Sequence, residues 1–80
     1  MITIYLYGNL KRFGSRFCLH AHSPADALNG LFSQIKGLRK KILAGTFLVR
    51  LNGEIQTESN IQKTFNQNQF EAVIHILLLS

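Results

Sequence analysis

The stretch Ala72-Val73-Ile74-His75-Ile76-Leu77-Leu78-Leu79 decides the architecture. It is aliphatic at every position except His75, and it falls far short of the ~20 residues that span a bilayer. Its bulky and β-branched residues favour a strand. A strand apolar along its whole length belongs in the interior of a sheet, covered on both sides. Side chains alternate along a strand, so Ala72, Ile74 and Ile76 share one face while Val73, His75 and Leu77 share the other.

A central strand needs neighbours, and the chain supplies them. Ile2-Thr3-Ile4-Tyr5-Leu6-Tyr7 alternates with Ile2, Ile4 and Leu6 on the buried side. Gly8 to Ser15 reads as a loop bounded by glycines, after which Arg16 to His22 alternates again with Phe17, Leu19 and Ala21 inward. Ser23-Pro24-Ala25-Asp26 is a helix start: a hydroxyl for the N-cap, a proline suited to the first helical position and an acid near the positive end of the dipole. Ala27, Leu28, Leu31, Phe32 and Ile35 follow at helical spacing, with Gly30 a weak point among them. Gly37 interrupts the pattern, and Leu38 to Ala44 forms a second short helical stretch ending on Gly45 as a C-cap. Thr46 to Leu51 is a strand with Phe47, Val49 and Leu51 inward. Asn52-Gly53 is a tight hairpin turn, and Glu54 to Thr57 a short strand. Glu58 to Gln69 is polar, anchored by Ile61 and Phe65.

The order strand, strand, helix, strand, short strand, strand predicts an α+β domain, a mixed sheet of four to five strands with one main helix packed on one face. That is the β-grasp, or ubiquitin-like, arrangement, with the first and last strands parallel at the sheet centre. A ferredoxin-like fold would need a second full amphipathic helix, which Ser59 to Gln69 is too short and too polar to provide.

With 80 residues, 46% of them hydrophobic, the chain holds a single domain over residues 1–80 with a thin core. The lone Cys18 forms no internal disulfide. No secretion signal or membrane span is legible, which leaves a soluble chain in the cytoplasm as the expectation. Nine Lys and Arg against four Asp and Glu give a net charge of +5, a modest pull towards acidic partners.

Catalytic constellations are weak. His20 and His22 share a strand face, with His75 and Cys18 as the remaining candidate metal ligands, yet no acid is placed to orient the imidazoles. Outward sheet positions account for all four, so no metal and no cofactor is expected. Cys18 has no helix N-terminus to activate its thiol. Asp26, Glu54, Glu58 and Glu71 form no carboxylate pair. The glycine-bounded loop leads into a strand and not a helix, so it cradles no phosphate, and its Lys11 and Arg12, with Arg16 beyond, read first as solvated loop charges and second as contacts for an acidic partner. Lys36, Arg39, Lys40 and Lys41 form the densest basic patch, but no aromatic residues interleave with it, and cations late in a helical region complement its dipole. Nucleic-acid binding by that patch is the minor reading.

The informative feature is the face turned away from the helix: Tyr5, Tyr7, Cys18, His20, Leu48, Arg50, Val73, His75 and Leu77. A sheet face left to solvent is ordinarily polar, so this one suggests either a protein-binding patch, with Tyr5, Tyr7, His20, Leu48, Arg50 and His75 as contact candidates, or, equally, a face covered by a further segment of the same protein. An exposed edge strand also allows weak self-association.

The segment Ile4-Tyr5-Leu6-Tyr7-Gly8-Asn9-Leu10-Lys11-Arg12-Phe13-Gly14-Ser15-Arg16-Phe17 resembles the opening of the lambda-type phage tail assembly protein I family. Ser23-Pro24-Ala25-Asp26-Ala27-Leu28, Gln34-Ile35-Lys36-Gly37-Leu38-Arg39 and Val49-Arg50-Leu51-Asn52-Gly53 continue the likeness in order and spacing. The resemblance implies the N-terminal ubiquitin-like domain of a longer phage or prophage protein, needed to start tail-tip assembly. It also implies other tail-tip proteins as partners, no enzyme activity, and a place in the host cytoplasm during assembly or in the virion tail. Ubiquitin-like sulfur carriers and modifiers end in Gly-Gly, a dipeptide this chain lacks. That role is the alternative, and it would require further residues beyond Ser80.

Overall fold

The computed structural model describes residues 1–79, and its architecture is α+β on a five-stranded mixed sheet. In chain order the elements are β1 (Ile2–Tyr7), a 3-10 helix (Gly8–Phe13), β2 (Arg16–Leu19), α1 (Pro24–Gln34), α2 (Leu38–Leu43), β3 (Phe47–Leu51), β4 (Glu54–Ile55), α3 (Ile61–Phe65) and β5 (Ala72–Leu78). The strands lie side by side in the order β2-β1-β5-β3-β4. β1 and β5 run parallel, and β1/β2, β5/β3 and β3/β4 run antiparallel. The aliphatic C-terminal strand is therefore the middle of the sheet, as its composition demands. Ser80, which closes the apolar run, lies outside the described residues. Among those described, no helix is long and apolar enough to cross a membrane.

Alternation sorts the sheet into two faces. Ile2, Ile4 and Leu6 of β1, Val49 and Leu51 of β3, and Ala72, Ile74, Ile76 and Leu78 of β5 are buried, and they pack with Ala27 and Leu31 of α1, Leu38 and Ile42 of α2, and Phe65 of α3. Each aliphatic side chain taken fully from water contributes about 1.5–3 kcal/mol. No polar or charged residue is buried among the described residues.

The helix start is built as its residues dictate. Ser23 Oγ accepts the Asp26 backbone N–H at 3.1 Å, Pro24 takes the first position, and Asp26 Oδ2 accepts the His22 N–H at 3.2 Å. The first bond satisfies a donor that the helix N-terminus leaves open, and the second ties the residue before the cap to the first helical turn. Asn52 and Gly53 both adopt positive φ, 52° and 87°, which is what a two-residue type I′ hairpin requires. The Asn52 side chain adds a tie: its Oδ1 accepts the Val73 N–H at 2.9 Å, fastening the turn to the middle strand.

Several sequence expectations need correction. Phe47 stays 38% exposed, because at the first position of β3 its ring lines an open cleft with Thr46, Gln56, Thr57 and Ile61 and not the core. α2 does not end on a left-handed Gly45. Ala44 closes it in helical conformation, and the Gly45 N–H reaches the Ile42 carbonyl at 3.3 Å in a tightened last turn. β2 stops at Leu19, short of His22, whose carbonyl is taken by the Gln69 N–H at 2.8 Å. β4 ends at Ile55 and not Thr57, because Asn60 Oδ1 accepts the Thr57 N–H at 2.8 Å and turns the chain out of the sheet. The segment read as a loop after β1 is a 3-10 helix, and its Leu10 is wholly buried.

Gly14 carries a double constraint. Its φ is +123°, and a Cβ there would stand 2.5 Å from Phe17 Cζ, inside any real contact distance. Gly14→Ala should therefore destabilise the chain by about 2 kcal/mol or more in urea unfolding. Gly30→Ala should do the reverse, stabilising by about 0.5–1 kcal/mol, because the new methyl meets only Leu19 Cδ2 at 3.4 Å. Leu10→Ala should cost about 2–5 kcal/mol in the same measurement, the range for a fully buried leucine.

Candidate functional site

The strand registers assemble the outward side chains into rows. Arg16 of β2 lies opposite Tyr5 of β1, Tyr5 opposite His75 of β5, and His75 opposite Arg50 of β3. The next row towards the β1 C-terminus holds Tyr7, Leu77 and Leu48. Tyr5, Tyr7, Leu48, His75 and Leu77 are half-buried and Arg50 is exposed. The face is thus a partly desolvated aromatic and aliphatic plateau with a guanidinium at either side.

His75 organises its centre. Its ring stacks with Tyr5 at a centroid distance of 5.1 Å and an angle of 9°, and with Tyr7 at 5.5 Å and 21°. Its Nδ1 lies 2.5 Å from the Tyr7 hydroxyl. In the Nε2–H tautomer, Nδ1 accepts that hydroxyl's proton. Stacked rings contribute about 0.5–1.5 kcal/mol each beyond their burial, so the three aromatic side chains are held before any partner arrives. Tyr7, Leu48, Arg50, His75 and Leu77 line an open depression of about 400 Å³.

Arg16, grouped in the sequence with the solvated charges of the preceding loop, opens β2 as the alternation predicts and belongs to the plateau. The same two-residue period that placed Cys18 outward also points to Arg16. Hydrogen bonding to the Tyr5 side chain, then the charges of Cys18 and Tyr5, raise its already high pKa, so Arg16 stays charged. Thr3 faces Cys18, with Oγ1 and Sγ 3.8 Å apart, and Ile55 of β4 lies opposite Arg50.

Other sequence candidates lie elsewhere. His20 follows the last residue of β2 and lines a separate hollow with Met1, Ala21, His22 and Phe70. The His22 ring meets Phe70 edge-on at 5.7 Å. Among the described residues, no group of three or more His, Cys, Asp or Glu side chains is placed to hold a metal. Of the basic patch, Arg39 and Lys40 line one open hollow with Gly37, Leu43 and Ala44. Lys36 precedes α2, and Lys41 is half-buried. The plateau presents stacked rings, aliphatic side chains and cations, and the Tyr7 hydroxyl with His75 forms a phenol–imidazole pair within hydrogen-bond reach.

Tyr7→Phe removes only the hydroxyl. It should lower stability by about 0.5–1.5 kcal/mol and change the His75 ring nitrogen shifts in 15N NMR. Unchanged nitrogen shifts would mean that no bond joins the two side chains in solution.

Comparison with known proteins finds one informative relative. The chain is 35% identical over 78 residues to tail tip assembly protein I of Escherichia phage lambda, a match that takes in 96% of this chain and 35% of that protein. The chain thus spans about a third of the length of the curated relative it matches. No family model and no solved structure matches it.

Proposed function

This chain belongs to the lambda-type tail assembly protein I family, and from that premise we propose that it is a non-enzymatic module that acts in assembly of a phage tail tip by holding other tail-tip proteins. The module is of β-grasp, ubiquitin-like form. The strand order β2-β1-β5-β3-β4, with β1 and β5 parallel and α1 packed on one side, supports that reading. Contact is made through the outward sheet face, and the observation that carries this is the plateau of Tyr5, Tyr7, His75, Leu48 and Leu77 on the side of the sheet away from the packed core. A surface of fixed aromatic and aliphatic groups loses little conformational entropy on docking. The work is done in the host cytoplasm during assembly, and the module either stays in the virion tail or leaves it.

The test is co-expression of the tagged chain with the tail-tip genes of the same phage, followed by copurification. The expected result is recovery of a tail-tip protein that Tyr7→Ala or Leu48→Ala reduces at least tenfold, the effect of losing an interface anchor. Lys40→Ala, on α2, should leave it unchanged. Equal recovery with all variants, each folded by circular dichroism, would remove this face from the account.

A further inference from the structure

We propose that the outward face takes an acidic polypeptide segment: an extended stretch with two carboxylates about four residues apart and an aliphatic side chain between them. This rests on reading that face as the docking surface, and it names the chemistry of what docks.

The spacing comes from the sheet. Arg16, Tyr5, His75 and Arg50 stand in one row across four adjacent strands. Three strand spacings place the two arginines about 14 Å apart, which an extended chain rising about 3.3–3.4 Å per residue spans in four residues. The side chain midway along such a segment falls over Tyr5 and His75 of the same row, beside the open depression that His75 and Arg50 line with Tyr7, Leu48 and Leu77.

Charge complementarity supplies the sign. The chain has four acidic residues, and none stands in either row. Asp26 is spent on the start of α1. Glu54 pairs with Leu51, whose side chain points into the core from the opposite face. Glu58 follows β4, and Glu71 precedes the first residue of β5. The two guanidinium groups therefore flank an aromatic row that offers them no carboxylate. Arginine binds carboxylates through paired, directional hydrogen bonds, and the net charge of +5 draws an acidic segment in from a distance. A nucleic-acid strand fits less well. Tyr5, His75 and Tyr7 already stack on one another, which leaves less of their ring faces as platforms for bases.

Backbone-amide NMR of the chain, titrated with the blocked peptide ESLSE, its neutral counterpart QSLSQ and an oligothymidylate, tests this. The expected result is that ESLSE at millimolar concentration shifts the amides of β1, β3 and β5 around Tyr5, His75 and Arg50, and that QSLSQ binds at least roughly tenfold more weakly. Arg16→Gln and Arg50→Gln should each cost a similar factor, and raising the salt from about 0.05 M to about 0.5 M should weaken binding severalfold. Equal shifts from both peptides, no shift from either, shifts confined to α2, or stronger binding by the oligothymidylate would each overturn the proposal. The two readings fail separately. If tail-tip copurification is lost in Tyr7→Ala but is indifferent to salt and to both arginine variants, the docking face stands and the acidic occupant falls.

Discussion

β1 and β5 lie side by side in parallel from Ile2 opposite Ala72 to Tyr7 opposite Leu77, joining two segments about as far apart in sequence as the chain allows. The rest of the structure depends on that pairing. β2 hangs on the free edge of β1, and β3 with β4 on the free edge of β5, so neither outer pair reaches the other without the central one. A backbone tie extends the ladder at its start, where the Met1 ammonium donates to the Phe70 carbonyl at 2.6 Å. Strands at the middle of a sheet do not separate without opening the core, and closing contacts of such high sequence separation makes folding slow relative to a helical bundle of the same size.

The same pairing produces both faces at once. Because side chains alternate, fixing Ile4 beside Ile74 on the core side also fixes Tyr5 beside His75 on the outer side. A slip of one residue would turn the aromatic side chains into the core and the isoleucines to water. The outward face is therefore no separate addition to the fold. Its rows are the reverse side of the core's rows, and the stability of the one holds the geometry of the other. The Asn52-Gly53 turn contributes as well, since its side-chain bond to Val73 fixes β3 on β5 and so sets Arg50 beside His75.

Much of this was legible in the sequence wherever a local rule operates. The Ser23-Pro24-Ala25-Asp26 start, the Asn52-Gly53 turn and the two-residue alternation of β1 and β5 all appear as their residues dictate. What escaped depends on distant contacts. Leu10 lies in a segment with no period, so nothing local marks it as core. Phe47 has the right parity to be inward but stands at a strand end, where parity does not secure cover. The face membership of Tyr5, Tyr7, Leu48, Arg50 and His75 could be read from alternation alone. Their assembly into rows could not, because it needs the register between β1, β5 and β3. His20 is not on the plateau because β2 stops at Leu19 before the turn into α1, and Arg16, whose strand position alternation does give, joins the row only through its register opposite Tyr5.

The most direct test of the central claim is a solution NMR measurement of through-space contacts between β1 and β5. The account predicts parallel-strand backbone contacts linking Tyr5 with His75 and Tyr7 with Leu77, together with ring-to-ring contacts from His75 to both tyrosines. Antiparallel contacts between these strands, or a register that sets Ile4 beside His75, would contradict it, and the core and the outward face would fall together.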